Sequence, residues 1–88
     1  MGIKEEVKSE VVTLLSTLKP LAERNPDGPV RGASEDFNHL LARAQEAYPE
    51  LKAIQQTSQL FNHDTLATAV TRLAIIHGAI LSTTTFVA

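Results

Sequence analysis

The chain has no cysteine and no tryptophan, a single methionine, one tyrosine and three phenylalanines. Without cysteine there is no disulfide to staple the fold and no Cys/His spacing to hold a zinc ion. With Phe37, Tyr48, Phe61 and Phe86 as the only aromatics, leucine, isoleucine, valine and alanine must fill the interior. Charge of one sign is also scarce. The 8 basic and 10 acidic residues leave a net charge of −2, and Lys4, Lys8, Lys19, Arg24, Arg31, Arg43, Lys52 and Arg72 are scattered along the chain. A phosphate backbone needs a concentrated cationic footprint, so nucleic acid is not an expected partner. The longest uncharged run, residues 73–88, is 16 residues, short of the roughly 20 that a bilayer-spanning helix needs. It also holds His77, Gly78 and the polar Ser82-Thr83-Thr84-Thr85, so a buried or interfacial helix is expected there and no membrane contact. The opening Met1-Gly2-Ile3-Lys4-Glu5-Glu6 lacks the basic start and apolar run of a signal peptide, which makes the cytoplasm the expected compartment.

What is present is a hydrophobic content of 43% in 88 residues, enough for one globular domain. A chain of this size buries only about 60% of the surface that its unfolded state exposes, so its core has little to spare. The apolar pattern is helical throughout. Ile3, Val7, Val11, Leu14, Leu15, Leu18, Leu21 and Ala22 recur at spacings of three and four, one stripe of a helix over residues 3–24. Glu5, Ser9, Thr13, Ser16 and Glu23 fall opposite. Pro20 lies on the solvent side, where water can reach the carbonyl of Ser16, and the stripe continues in phase beyond it; a kink is expected and not a stop. Asn25-Pro26-Asp27-Gly28-Pro29 ends the helix, and residues 25–33 are expected to be a loop that only connects.

A second helix is expected over residues 34–48, with Ser34 as N-cap, Glu35 and Asp36 in its first turn, and Phe37, Leu40, Leu41, Ala44, Ala47 and Tyr48 buried. Pro49 opens a third helix over 49–61, with Leu51, Ile54, Ser58 and Phe61 on one side and Gln55, Gln56 and Gln59 on the other. Asn62 is the expected N-cap of a fourth helix over 63–81, with Phe61 and Leu66 as a hydrophobic staple across its start, and residues 82–88 form a tail. The expected fold is an all-α, mainly antiparallel four-helix bundle with a kinked first helix and an apolar C-terminal helix.

That last helix stands apart. Leu66, Ala69, Val70, Leu73, Ile76, His77 and Ile80 form its main apolar face, yet Ile75 and Ala79 project elsewhere, between Thr68 and Arg72. A helix apolar on more than one side is expected to lie at the centre of a fold or at a subunit interface. The expected interface residues are Thr68, Arg72, Ile75 and Ala79, with Phe86 of the tail. His77 is expected to be a buried polar residue, with Gly78 beside it easing close helix packing. Glu35 and His39 have a metal-ligand spacing, but Arg43 continues the same strip and opposes a cation. His63-Asp64 lacks a nucleophile to serve. No catalytic, metal-binding or cofactor-binding set is therefore expected. The expected function is a non-enzymatic interaction module, self-associating as a homodimer or binding another protein through its last helix. The alternative is a carrier or sensor of a small apolar ligand held among Leu66, Val70, Leu73 and Ile80 with His77 as polar anchor.

Overall fold

The computed structural model describes residues 2–84. Among them are four helices: α1 (Ile3–Arg24), α2 (Ala33–Ala47), α3 (Lys52–Gln55) and α4 (Leu66–Thr84). The fold is the all-α bundle that the hydrophobic periodicity predicts. α1 is helical through Pro20, and both Pro20 and Ser16 are exposed, so the carbonyl freed by the missing N–H faces water.

The chain runs up, down, up and down. The C-terminal end of α2 meets the N-terminal end of α1, where the Tyr48 hydroxyl donates to the Lys4 carbonyl at 3.2 Å and Lys4 lies 3.9 Å from Glu50. The start of α4 meets the loop that follows α1. α2 and α4 therefore both run antiparallel to α1, which packs against each of them. α3 packs in turn against both α2 and α4, so each helix has two neighbours and α4 is not enclosed on all sides.

The third leg departs most from expectation. α3 is one turn, and residues 57–61 lie outside any helix instead of completing one over 49–61. Tertiary bonds take over the backbone here. The Asn38 amide on α2 pairs with both polar groups of the Leu60 peptide unit, donating to its carbonyl at 2.8 Å and accepting from its N–H at 2.7 Å. From the other side the Arg72 guanidinium donates to the carbonyls of Ser58 and Gln59. Ile54 and Leu60 become the buried anchors of this leg, while Phe61, expected on the core side, is 61% exposed.

The loop after α1 does more than connect. Its Val30 and Arg31 N–H groups donate to the carbonyls of Asp64 and Asn62, and a one-residue bridge joins Pro29 to Thr65. In return the N–H groups of Leu66 and Ala67, in the first turn of α4, donate to the carbonyls of Gly28 and Pro26 at 2.8 and 3.1 Å. These are donors that a helix start leaves unsatisfied. Gly28 is closely packed: a Cβ there would sit 2.6 Å from the tip of the Asn25 side chain and 3.2 Å from its carbonyl oxygen, so Asn25 would have to give way. Arg31 turns the chain into α2 through a left-handed backbone (φ 51°).

The helix ends differ accordingly. α4 starts three residues later than expected and runs on to Thr84, so residues 82–84 belong to the helix and not to a tail. Its cap is Thr65, whose hydroxyl accepts the Thr68 N–H at 3.2 Å, and not Asn62. The expected staple is absent, because Phe61 stacks on His63 with ring centroids 5.8 Å apart. Gly32 occupies the N-cap position of α2, and Ser34 is instead buried, donating to the Asn62 side chain at 2.6 Å.

The core holds Val7, Val11 and Leu18 from α1, Phe37, Leu40, Leu41 and Ala44 from α2, Ile54 and Leu60 from the third leg, and Ala69, Leu73, Ile76 and Ile80 from α4. Each large aliphatic side chain taken fully from water contributes about 1.5–3 kcal/mol.

Candidate functional site

On α4, Ala69, Leu73, Ile76 and Ile80 point into the core. At about 100° per residue the diametrically opposite direction is that of Gly78. Around it lie Thr71, Ala74, Ile75, Leu81 and Ser82, all exposed, with Ile75 at 48% and Leu81 at 37% of full exposure. This strip is about 120° wide and carries no formal charge. It is also flat at its centre, since a Cβ built on Gly78 meets nothing within 4 Å. Gly78 therefore does not ease packing within the chain. His77 is half-buried at the border between the core face and the strip, and is not the buried polar residue expected.

The expected interface residues are only partly together on this strip. Ile75 belongs to it. Arg72, Thr68 and Ala79 lie toward one edge and are half-buried there. Arg72 is held by the non-helical segment, and the Thr68 hydroxyl shares a 2.9 Å hydrogen bond with Thr65. Ala79 packs against the core. The non-helical segment of the third leg covers the side on which sequence periodicity placed the interface, and the open strip is rotated away from it. Phe86 lies outside the described residues.

Other candidate groups are committed elsewhere. Arg43, expected in a strip with Glu35 and His39, pairs across the α1–α2 seam with Glu10, and with Glu6 at 3.1 Å. Beside that seam Ser9, Thr13, Leu14, Asp36, His39 and Leu40 line an open groove of about 440 Å³. Among the described residues no group of three or more His, Asp or Glu side chains is placed to hold a metal ion. The Asp64 carboxylate accepts the Phe61 N–H at 2.7 Å, a turn contact. Gln55, from the expected glutamine surface, donates to the carbonyls of Gln45 and Tyr48 and closes the end of α2. Neither the groove at the α1–α2 seam nor the hollow beside Arg72 is lined by Leu66, Val70, Leu73, His77 or Ile80.

Asn38 is the structural tie that sequence reasoning missed. Its signal was present: asparagine is a poor helix former, and in a helix interior its amide tends to find a backbone partner. The electrostatics of the site are simple. Tyr48 is the group whose titration clearly shifts: burial, with a smaller contribution from the Glu50 carboxylate, raises its phenol above the usual value. The Lys4 ammonium lies 5.2 Å from the centre of its ring.

By length and composition alone, residues Leu66–Thr83 of α4 are apolar enough to cross a membrane. The 16-residue estimate from sequence counted only the uncharged run and stopped at Arg72, but a single arginine does not disqualify a span of this length. No protein-family model, curated protein or solved structure matches the chain.

Proposed function

We propose that the chain is a non-enzymatic interaction module that self-associates through the outer strip of α4. One observation carries this reading: a charge-free strip centred on Gly78, with Ile75 and Leu81 exposed at its edges, on the face of α4 turned away from the core. The remainder of the surface carries the 18 charged residues of the chain, and a small domain gains solubility from charge on every face that has no partner. An interface of ordinary size buries about 800 Å² per partner, about one-seventh of the 5527 Å² accessible surface of this chain. A single helical strip supplies less, so the association is expected to be of micromolar strength and to exchange rapidly.

Sedimentation equilibrium from 5 to about 200 μM tests this reading, with the wild type expected to shift from monomer to dimer. Ile75→Glu places a carboxylate on the strip and is expected to remain monomeric throughout, with unchanged helical circular dichroism. A wild type that is monomeric at every concentration overturns the proposal. Flotation with neutral phosphatidylcholine vesicles forms a second arm, and capture of the wild type but not Ile75→Glu overturns it in favour of lipid.

A further inference from the structure

The turn after α1 carries a reactive pair. Asp27-Gly28 is the one place in the chain where an aspartate or asparagine is followed by glycine; the others precede Pro26, Phe37, His39, His63 and Thr65. An aspartyl carboxyl can close a five-membered ring on the backbone nitrogen of the next residue, and glycine there puts no side chain in the path of attack. Asn25 is excluded from the corresponding reaction, because Pro26 has no N–H to lose.

The fold holds this pair in an unreactive form. Asp27 is exposed, whereas Gly28 is buried. The Gly28 N–H donates to the Asn25 carbonyl at 3.0 Å, so the nitrogen that must lose its proton is already bonded. The peptide units around Asp27 are committed as well. The Pro26 and Gly28 carbonyls accept the Ala67 and Leu66 N–H groups of α4, and Pro29 bridges to Thr65.

We propose that Asp27 is a self-modification site gated by this tie: it isomerises in chains whose loop has come away from α4, and the folded turn blocks the reaction. The Gly28 nitrogen attacks Cγ of the protonated Asp27 carboxyl. A C–N bond forms, the Cγ–OH bond breaks, and the hydroxyl leaves with the N–H proton as water. Water then opens the cyclic imide at either of its carbonyls. Opening at the side-chain carbonyl restores aspartate. Opening at the main-chain carbonyl breaks the original peptide bond and gives isoaspartate, whose chain runs through Cβ and whose α-carboxylate is free. Water is the only co-reactant.

Isoaspartate places one more backbone atom between the Pro26 and Gly28 carbonyls. Those carbonyls are set to receive two successive amides of α4, and the lengthened loop no longer serves both. The tie prevents the reaction and the reaction prevents the tie. Neither half of this depends on the association of α4.

Trypsin reads the site, because cleavage after Arg24 and Arg31 releases residues 25–31 with Asp27 as their sole acidic side chain. The aspartyl and isoaspartyl forms of that peptide share a mass and separate by reversed-phase chromatography. The wild type is kept for several weeks at mildly acid pH, folded in buffer or unfolded in about 6 M guanidinium chloride. The unfolded chain is expected to accumulate isoaspartyl peptide at least tenfold faster than the folded one. After refolding, the isoaspartyl chain is expected to exchange its Leu66 and Ala67 amides at least tenfold faster than the aspartyl chain carried through the same steps. An unfolded chain that yields no isoaspartyl peptide overturns the site. Equal rates in the two states overturn the gating, and unchanged exchange at Leu66 and Ala67 overturns the mutual exclusion.

Discussion

α2 and α4 run in the same direction on either side of α1, yet they are held and finished differently. α2 is tied to its neighbours by side-chain bonds: Arg43 to Glu10 and Glu6, Asn38 to the Leu60 peptide, Ser34 to Asn62, and the Tyr48 hydroxyl at its C-cap to Lys4. Its outer side carries Glu35, Asp36, His39 and Glu46, all exposed. α4 is held by burial of Ala69, Leu73, Ile76 and Ile80, with polar ties at Thr68 and Arg72 in its N-terminal half. Its outer side is uncharged. The outer side of α2 meets water with charged groups, whereas that of α4 has only the Thr71 and Ser82 hydroxyls among its side chains. On the reading proposed above, the uncharged outer face of α4 is the one that takes a partner, and the charged outer face of α2 the one that does not.

The largest effect is expected where α4 meets the core. Ile76→Ala empties a site with no solvent exposure and is expected to cost about 3–4 kcal/mol in urea unfolding, while the adjacent Ile75→Ala changes the stability of the dilute monomer by less than about 0.5 kcal/mol. Equal losses at the two positions would erase the distinction between the faces of α4. Asn38→Ala comes next. It strips both partners from the buried Leu60 peptide and is expected to cost about 2 kcal/mol by the same measurement.

A smaller effect, about 1 kcal/mol near neutral pH, is expected for Tyr48→Phe. It also has a pH signature. Because the folded state raises the Tyr48 phenol, the stabilisation is complete below the unfolded value of about 10 and is lost as pH rises through the higher folded value. The wild type should therefore lose stability above about pH 10 more steeply than Tyr48→Phe, and parallel curves would remove Tyr48 from the account. The smallest effect is that of Arg43→Ala, below about 1 kcal/mol because the guanidinium and both carboxylates are partly exposed; 1 M salt should shrink it further.

The same contrast explains what was legible in the sequence. The bounds of α1 and, within a residue, of α2 follow from one-sided periodicity and the proline-glycine cluster between them, because the forces that set them are local. The third leg was not legible. Gln56, Thr57, Ser58 and Gln59 carry no strong signal, and the non-helical path through Leu60 is tied by Asn38 and Arg72, which are distant in sequence. The true start of α4 was hidden for the same reason, since Thr65 and the loop carbonyls, not the attractive Asn62, complete it. The excess apolar character of α4 was visible in the sequence. Its direction was not, because only the fold shows that the non-helical segment covers the side of Thr68 and Arg72.

The carbonyls of Pro26 and Gly28 that receive the first amides of α4 also bear on how this chain folds. A helix ordinarily supplies its own beginning from a neighbouring side chain, so it can flicker into existence alone. Here part of the beginning of α4 is contributed by backbone about forty positions earlier, which makes its first turn a product of the finished topology. The amides of Leu66 and Ala67 should accordingly exchange with solvent only when the whole domain opens, as slowly as those at the centre of α1. Early exchange of these two amides would show instead that α4 can begin without the loop that follows α1.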